Sequence, residues 1–158
     1  MNRTSFFCFG VPIPQGSLRA FVIKGLHPRA VLTHVNRSDL KSWRTVVGEC
    51  ALASISPPCD NNTWPLDAAG YRVTITFYLP RPKSVSVARR PYPNVTPDLD
   101  KLTRSVGDAL THILWNDDSS IVTLNVTKLY ADHTHAVGAD ITVETMAAPE
   151  PAFLTGLT

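Results

Sequence analysis

Runs of apolar residues predict several strands along the chain. From Tyr71 to Leu79 an apolar side chain occupies every second position, which is typical of a half-buried strand. Shorter runs predict further strands at 6–9, 18–22, 30–35, 122–127 and 141–143. We expect 18–22 and 30–35 to form a hairpin, and the last two strands to pair with each other.

Apolar residues at a helical spacing predict two helices. The first has Ser38 as its N-cap and Asp39 in its first turn, where the helix dipole favours a carboxylate. Its core stripe consists of Leu40, Trp43, Val47, Cys50 and Ala51. The second helix has Asp98 as its N-cap. Its apolar face is formed by Leu99, Leu102, Val106, Ala109, Leu110 and Ile113.

The set of elements predicts the fold class. The chain shows no internal repeat, and 158 residues suit one domain. We therefore expect an α+β (mixed α/β) fold with a mixed sheet of four to six strands and two main helices. The domain is expected to span 1–145. Residues 146–158 lack a pattern and include Pro149 and Pro151, which indicates a flexible C-terminal tail.

A proline-rich basic segment separates the long strand from the second helix. Residues 80–97 contain five prolines, so they predict an extended loop. The net charge is only +2, but basic residues concentrate here and in the first helix, where Lys41 and Arg44 are expected to stay free for phosphate. Solvated surface charge is the alternative; we favour attraction of a phosphate backbone. The predicted DNA-binding residues are Arg19, Arg44, Arg81, Lys83, Arg89 and Arg90.

Two pairs of acidic residues bracket the second helix. Asp98 and Asp100 lie at its start, and Asp117 and Asp118 lie just beyond its end. Unit charges roughly 4 Å apart repel by about 4 kcal/mol at an effective dielectric near ~20. A cation would hold such carboxylates together, and hard oxygen ligands point to Mg²⁺, with Mn²⁺ as a substitute. The two pairs meet only if the strand after Asp118 returns beside the helix start.

Simpler interpretations exist for each acidic pair. Asp98 is explained as a helix cap, and Asp117–Asp118 as a polar turn. Neither interpretation explains both pairs together with the basic loop before them. If the acids meet, a bound ion would polarise a phosphodiester, and Lys101 or Arg104 would offset the charge that develops on the phosphorus.

Other classes of site find little support in the sequence. No apolar run is long enough to span a membrane, and the apolar start lacks the length and the cleavage site of a signal peptide. The chain has no Gly-rich phosphate loop and no zinc-type Cys/His array, so no organic cofactor is expected. The segment Asp132–His135 is expected to be a solvated turn rather than a metal site.

Three segments around the acidic pairs carry a family signature: Pro97–Leu102, Asp108–Leu110 and Trp115–Val122. They resemble the RusA family of Holliday junction resolvases, and Gly10–Arg19 and Phe77–Lys83 also resemble that family. The resemblance implies a Mg²⁺-dependent endonuclease, encoded largely by phages and prophages. It implies a homodimer that nicks two opposed strands of a four-way DNA junction. A cytoplasmic location, in a bacterial or phage-infected cell, is expected.

The resemblance also implies roles for individual residues. Asp98, Asp100 and Asp118 resemble the catalytic metal-binding aspartates of the family, and Asp117 is an adjacent, weaker candidate. Arg104 aligns with the catalytic lysine of the family.

The replacement of that lysine leaves alternatives open. Arg104 keeps the positive charge and can clamp a phosphate with two hydrogen bonds, but arginine is a poor proton donor. Lys101 stands where the family frequently has asparagine, and it is the other candidate for the role of the lysine. A non-catalytic branched-DNA-binding protein of the same fold is a competing interpretation, as is hydrolysis of a small phosphate ester.

Overall fold

The structure is a computed structural model that describes residues 2–16, 18–23, 29–34, 37–55, 64 and 66–148. The strands in these ranges are β1 (Arg3–Phe9), β2 (Leu18–Ile23), β3 (Arg29–His34), β4 (Gly70–Leu79), β5 (Ile121–Tyr130) and β6 (Gly138–Met146). The helices are α1 (Arg37–Ile55) and α2 (Leu99–Leu110), and a short 3₁₀ helix (Asp118–Ser120) precedes β5.

Four of the strands form a mixed sheet in the order β1-β6-β4-β5. Strand β6 is antiparallel to both of its neighbours, whereas β5 is parallel to β4. At the centre of the sheet, Ile75 of β4 lies opposite Ile141 of β6 and Val126 of β5. Strands β2 and β3 form a separate antiparallel pair, as the predicted hairpin requires. The predicted α+β fold with a mixed sheet and two main helices is confirmed.

The parallel pair determines where the two ends of α2 lie. Parallel neighbours run in the same direction, so the chain must cross back between them, and α2 lies in that crossover. Strand β5 follows the end of α2 and returns towards its start. There the Lys128 ammonium donates hydrogen bonds to the carbonyls of Val95 (2.8 Å) and Pro97 (2.9 Å). The strand after Asp118 therefore reaches the helix start only with its far end, whereas Asp118 precedes the first residue of the strand. This return does not by itself bring Asp118 to the acids of the helix start, which the predicted meeting of the two pairs requires.

The core lies between the sheet and the two helices. Helix α2 buries Leu102, Val106 and Leu110 completely, at 0% exposure. Full burial of one such side chain stabilises the fold by about 1.5–3 kcal/mol. Helix α1 contributes Trp43 and Val47 to the same core. Because α1 contacts β1 and α2, and α2 contacts β5, the helix pair covers the sheet from one edge strand to the other.

All three tryptophans of the chain are buried. Trp43, Trp64 and Trp115 are 4%, 8% and 1% exposed, respectively. The indole N–H of Trp64 donates a hydrogen bond of 2.8 Å to the Leu114 carbonyl. This bond ties the segment before β4 to the turn that follows α2.

The predicted pairing of the last two strands is wrong. Strand β6 pairs with β1 and β4, and β5 occupies the edge of the sheet. The physical reason is burial. Ile141 and Val143 of β6 are 0% exposed and need cover from neighbouring elements, whereas Val122 and Leu124 of β5 are 64% and 49% exposed.

Element boundaries also differ from the sequence prediction. Helix α1 begins at Arg37, so Ser38 lies in its first turn rather than at its N-cap. Helix α2 ends at Leu110, which leaves Ile113 in the following turn, partly packed against the core. Residues 80–97 contain neither helix nor strand, as predicted. Strand β6 reaches Met146, and 149–158 of the predicted tail lie outside the described residues.

Candidate functional site

A cavity of about 690 Å³ lies between α2 and the two parallel strands. Three charged side chains line it: Asp100 and Arg104 from α2, and Asp118 from the 3₁₀ helix. The remainder of the lining is mainly apolar and includes Val73, Ile75, Trp115, Ile121, Leu124 and Val126. The sheet and Trp115 therefore provide an apolar floor beneath two carboxylates and one guanidinium.

Helix α2 presents Asp100 and Arg104 one turn apart on the same side. Residues at i and i+4 are neighbours on a helix surface, and Thr103 and Gly107 share this face. Both charged side chains are exposed, while Leu102 and Val106 on the buried face hold the helix in place. Asp100 lies in the first turn, where the helix dipole stabilises a carboxylate.

Asp98 occupies the N-cap position of α2 but does not cap the helix with its side chain. Its backbone is extended (φ −70°, ψ 140°), and its carboxylate forms no capping hydrogen bond. Instead, Asp98 Oδ2 lies 2.9 Å from Lys101 Nζ. The hydrogen bond to Asp98 and its negative charge raise the pKa of Lys101. Asp98 and Lys101 thus pair with each other and do not line the cavity.

The adjacent acids Asp117 and Asp118 have different surroundings. Asp117 caps the 3₁₀ helix, because its Oδ1 accepts a hydrogen bond of 2.8 Å from the Ser119 amide. Hydrogen bonds from the side chain and the backbone of Ser119 lower the pKa of Asp117. Asp118 is the first residue of that helix, and its exposed side chain lines the cavity. Asp117 therefore shapes the turn that presents Asp118.

Two of the three predicted metal-binding aspartates line the same cavity. These are Asp100 from the start of α2 and Asp118 from the turn after its end, and Asp98 is not among the lining residues. Within the described ranges, no three His, Cys, Asp or Glu side chains form a group that could hold a metal ion. The segment 132–135, for which no metal was expected, is a turn in which Asp132 accepts hydrogen bonds from the amides of Thr134 and His135.

Two of the predicted DNA-binding arginines have protein partners. Arg44 pairs with Asp108 and donates a hydrogen bond of 3.0 Å to Gln15 Oε1. The expectation that Arg44 stays free is wrong, because the crossing of α1 and α2 brings Asp108 beside it. Arg81 lies 4.0 Å from the centre of the Tyr130 ring and donates to the carbonyls of Arg90 (2.6 Å) and Pro91 (3.3 Å).

The other basic residues differ in accessibility. Lys83 and Arg89 are exposed in the 80–97 loop, and Arg90 is half-buried. Arg19 lies in β2, and its side chain is outside the described part of the chain. Contact between DNA and any of these residues stays a prediction.

Sequence reasoning missed Lys128. On β5 it lies on the same side as Leu124 and Val126, which line the cavity, because alternate residues of a strand share a face. The sequence did contain a signal: Lys128 takes the next position in the alternating series Val122, Leu124 and Val126. Its importance depends on the parallel pairing of β5 with β4, which was not predicted.

Two exposed acids and an arginine at one cavity, beside a basic loop, are the residue types of a phosphoryl-transfer site. The comparison with known families agrees with this class. Residues 24–144 match the family model described as Endodeoxyribonuclease RusA, and this range includes the loop, α2, the 3₁₀ helix and β5. The chain belongs to the RusA endodeoxyribonuclease family, a nuclease family that acts on branched DNA junctions.

A curated relative covers most of the same chain. "Uncharacterized protein YqaN" of Bacillus subtilis (strain 168) is 29% identical over 142 residues, which cover 84% of this chain and 91% of the relative.

Within the described residues, neither helix combines the length and the apolar character that crossing a membrane requires.

Proposed function

We propose that this protein is a Mg²⁺-dependent, structure-selective endodeoxyribonuclease that resolves four-way DNA junctions by paired nicks. Its proposed role is DNA recombination and repair in the cytoplasm of a bacterial or phage-infected cell. The observation that carries the proposal is the shared cavity of Asp100, Arg104 and Asp118 in a chain of the RusA family.

The donor atoms of the cavity suit Mg²⁺, with Mn²⁺ as a substitute. Mg²⁺ prefers oxygen ligands and commonly takes one or two carboxylates together with water and substrate phosphate. Asp100 and Asp118 are the proposed ligands, and Asp98, which is paired with Lys101, would be the third of the proposed set. Asp117 is the weaker candidate, since its Oδ1 already accepts the Ser119 amide. When bound, the ion activates a water molecule and polarises the phosphodiester.

The cationic residues of α2 act on the phosphate. The Arg104 guanidinium lies at the cavity and can donate two parallel hydrogen bonds to phosphate oxygens as negative charge develops there. It stays protonated, so it does not supply the proton that the leaving oxygen needs. Lys101 is the other cation of this helix and the proposed proton donor, but its ammonium would first have to leave Asp98, which raises its pKa and makes it a weaker acid, and reach the cavity, which it does not line.

The 80–97 loop is the proposed surface for the DNA backbone. Its exposed Lys83 and Arg89 lie in the segment that leads directly to Asp98, so a bound strand would pass from the loop to the cavity. The phosphates of the DNA backbone attract these cations whatever the base sequence, because the contact does not involve the bases.

A homodimer would match the symmetry of the substrate. A four-way junction has approximate two-fold symmetry, so a C2 dimer offers two equivalent sites to two equivalent strands. Strand β5 lies at a sheet edge and exposes Val122, which is not among the residues that line the cavity, by 64%. Exposed apolar side chains on an edge strand favour pairing with another chain, which supports this surface as the dimer contact.

A cleavage assay with a labelled synthetic four-way junction tests the proposed function. The full chain is expected to produce symmetric nicks in two opposed strands with Mg²⁺, and none when EDTA replaces the metal. Linear duplex of the same sequence is the substrate control. Cleavage of the duplex at the same rate would contradict structure selectivity, and nicking without metal would contradict the metal requirement.

A second candidate function is a non-catalytic protein that binds branched DNA. Three observations favour it: Arg104 replaces the lysine of the family, Lys101 holds Asp98, and the described residues contain no three-ligand metal group. This candidate predicts tight junction binding without nicks across a range of Mg²⁺ and Mn²⁺ concentrations. The same assay therefore separates the two functions.

A further inference from the structure

Lys128 joins the end of β5 to the chain just before the acidic motif. Its ammonium donates hydrogen bonds to the Val95 carbonyl at 2.8 Å and to the Pro97 carbonyl at 2.9 Å. Pro97 directly precedes Asp98, the N-cap residue of α2. The lysine therefore fixes main-chain atoms immediately before the two acids of the helix start.

The segment from 91 to 97 has few other attachments. Within the described chain, its main chain forms one local hydrogen bond, from the Asn94 amide to the Tyr92 carbonyl (2.9 Å). Its hydrogen bonds to other segments come from side chains: Arg81 donates to the Pro91 carbonyl, and Lys128 donates at the other end. Because loops with few attachments open readily, the two bonds of Lys128 have a large share in ordering this end of the loop.

The location of the Lys128 charge needs an explanation. A cation near the start of a helix is opposed by the helix dipole, and Lys128 continues a strand face that is otherwise apolar at Leu124 and Val126. The hydrogen bonds to the two carbonyls offset this cost. An uncharged side chain would pack on that face equally well, so packing does not explain why a lysine occurs here. The hydrogen bonds from its ammonium to the two carbonyls do explain it.

We propose that Lys128 is a positioning residue that sets Asp98 and Asp100 relative to Asp118. Strand β5 is the connection between the two acidic pairs, because its start follows Asp118 and its end carries Lys128. One rigid strand thus fixes both sides of the cavity. The proposal deepens the proposed nuclease function and rests on it for its catalytic consequence, but the anchoring itself does not depend on activity.

Hydrogen exchange of the free full-length protein tests the anchoring. Lys128→Met keeps the length of the side chain and removes its donors. We expect the amides of Asn94 and of Leu102–Arg104, whose hydrogen bonds lie in this segment and in the first turn of α2, to exchange at least about tenfold faster, because the loss of hydrogen bonds from a charged donor loosens both. Amides of β4 and β6 should keep their protection, and Lys128→Arg, which retains charged donors, should restore most of the protection.

Lys83→Met is the matched control for the loss of charge. It removes a cation from an exposed position of the same loop, and it should leave the exchange of Asn94 and Leu102–Arg104 unchanged. Unchanged exchange in Lys128→Met would overturn the anchoring. A uniform increase over the whole sheet would also overturn it, because Lys128 would then support the fold rather than the loop end.

Nicking kinetics test the catalytic consequence. A small displacement of catalytic groups can lower a rate by about 100-fold, so Lys128→Met should lower kcat for nicking by that order. The Kd for the junction should change by less than about threefold, because a loss confined to kcat marks an effect on the transition state. Lys128→Arg should recover most of the rate.

Hydrogen exchange and nicking kinetics test the role of Lys128 and the nuclease function separately. If the unmodified protein does not nick junctions, the proposed function fails, and the exchange experiment still decides whether Lys128 anchors the loop. If the unmodified protein nicks and Lys128→Met exchanges faster but nicks at the same rate, the positioning role is overturned and the nuclease function stands.

Discussion

Helix α2 carries charged residues that turn either towards α1 or towards β5, although Arg104 and Asp108 lie only one turn apart, and the two groups differ in how their charges are satisfied. On the side of α1, Asp108 pairs with Arg44, which also donates to Gln15. On the side of β5, Asp100 and Arg104 face the cavity with Asp118. Within the described residues, the side chains of these three form neither an ion pair nor a hydrogen bond. Both sides border a cavity of similar size, about 640 Å³ and 690 Å³.

This difference separates charges that hold the helices together from charges that are available to a ligand. A paired carboxylate such as Asp108 is already satisfied by the protein. Asp100 has only the helix dipole to stabilise its charge, and Asp118 has no ion-pair partner within the described residues, so both carboxylates remain open to a ligand. The comparison therefore predicts opposite consequences for substitutions on the two sides of one helix.

The largest expected effect comes from removing the unpaired acids. Asp100→Asn and Asp118→Asn keep the side-chain volume, and each should lower kcat for junction nicking by about a thousandfold, because each removes a negative charge that would hold the metal. Asp108→Asn, which changes the acid paired with Arg44, is the matched control and should nick within about threefold of the unmodified protein. Equal losses in all three variants would break the comparison.

Substitutions of Arg104 test the role of the positive charge at the cavity. Arg104→Met should lower kcat by about a hundredfold, as expected for the loss of one group that stabilises transition-state charge. Arg104→Lys should remain within about tenfold of the unmodified protein, because it restores the charge but not the planar pair of donors. Junction binding by gel shift without Mg²⁺ checks that both variants still bind. A lysine variant as inactive as the methionine variant would contradict a mainly electrostatic role.

The basic loop extends the comparison beyond α2. Arg89→Ala combined with Arg90→Ala should weaken junction binding and reduce the slope of log K against log salt concentration by about 0.9 for each lost phosphate contact. Arg3→Ala is the control, since Arg3 lies on β1 at the opposite edge of the sheet and approaches Glu144. A slope that stays the same in the double variant would place both arginines outside the interface.

The smallest effect concerns two helical glycines on the two sides of α2. A Cβ at Gly107 would meet no atom within 4 Å, whereas a Cβ at Gly48 of α1 would lie 3.2 Å from Ile113 Cδ1. Gly107→Ala should therefore raise the free energy of unfolding by about 1 kcal/mol, and Gly48→Ala by less, because Ile113 must move. Urea unfolding measures both. A larger gain at Gly48 would show that the α1–α2 contact is looser than the structure indicates.

The sequence predicts those elements whose pattern is local. The alternation in β4, the apolar stripe of α2 and the loop between them all follow from the spacing of residues that are close in the chain. The start of α2 was placed correctly at Asp98 for the same reason. The Asp98–Lys101 pair is also local, at i and i+3, yet it was not predicted.

Features that depend on distant segments could not be read from spacing. Strand order depends on how much apolar surface each strand must bury against its neighbours. The interior position of β6 and the edge position of β5 are therefore known only from the folded chain. The Arg44–Asp108 pair depends on how α1 crosses α2, and the contacts of Lys128 depend on the parallel direction of β5. The roles of Asp98, Asp100 and Asp118 in holding a metal stay a prediction.

The burial of all three tryptophans gives the protein a built-in optical reporter. Trp115 lines the cavity at 1% exposure, whereas Trp43 and Trp64 are not part of its lining. Indole emission depends on the polarity and charge around the ring, so an ion or a nucleotide entering the cavity should alter the Trp115 signal. Replacing Trp43 and Trp64 with phenylalanine would leave one fluorophore beside the proposed reaction centre, and occupancy could then be followed in solution without a label.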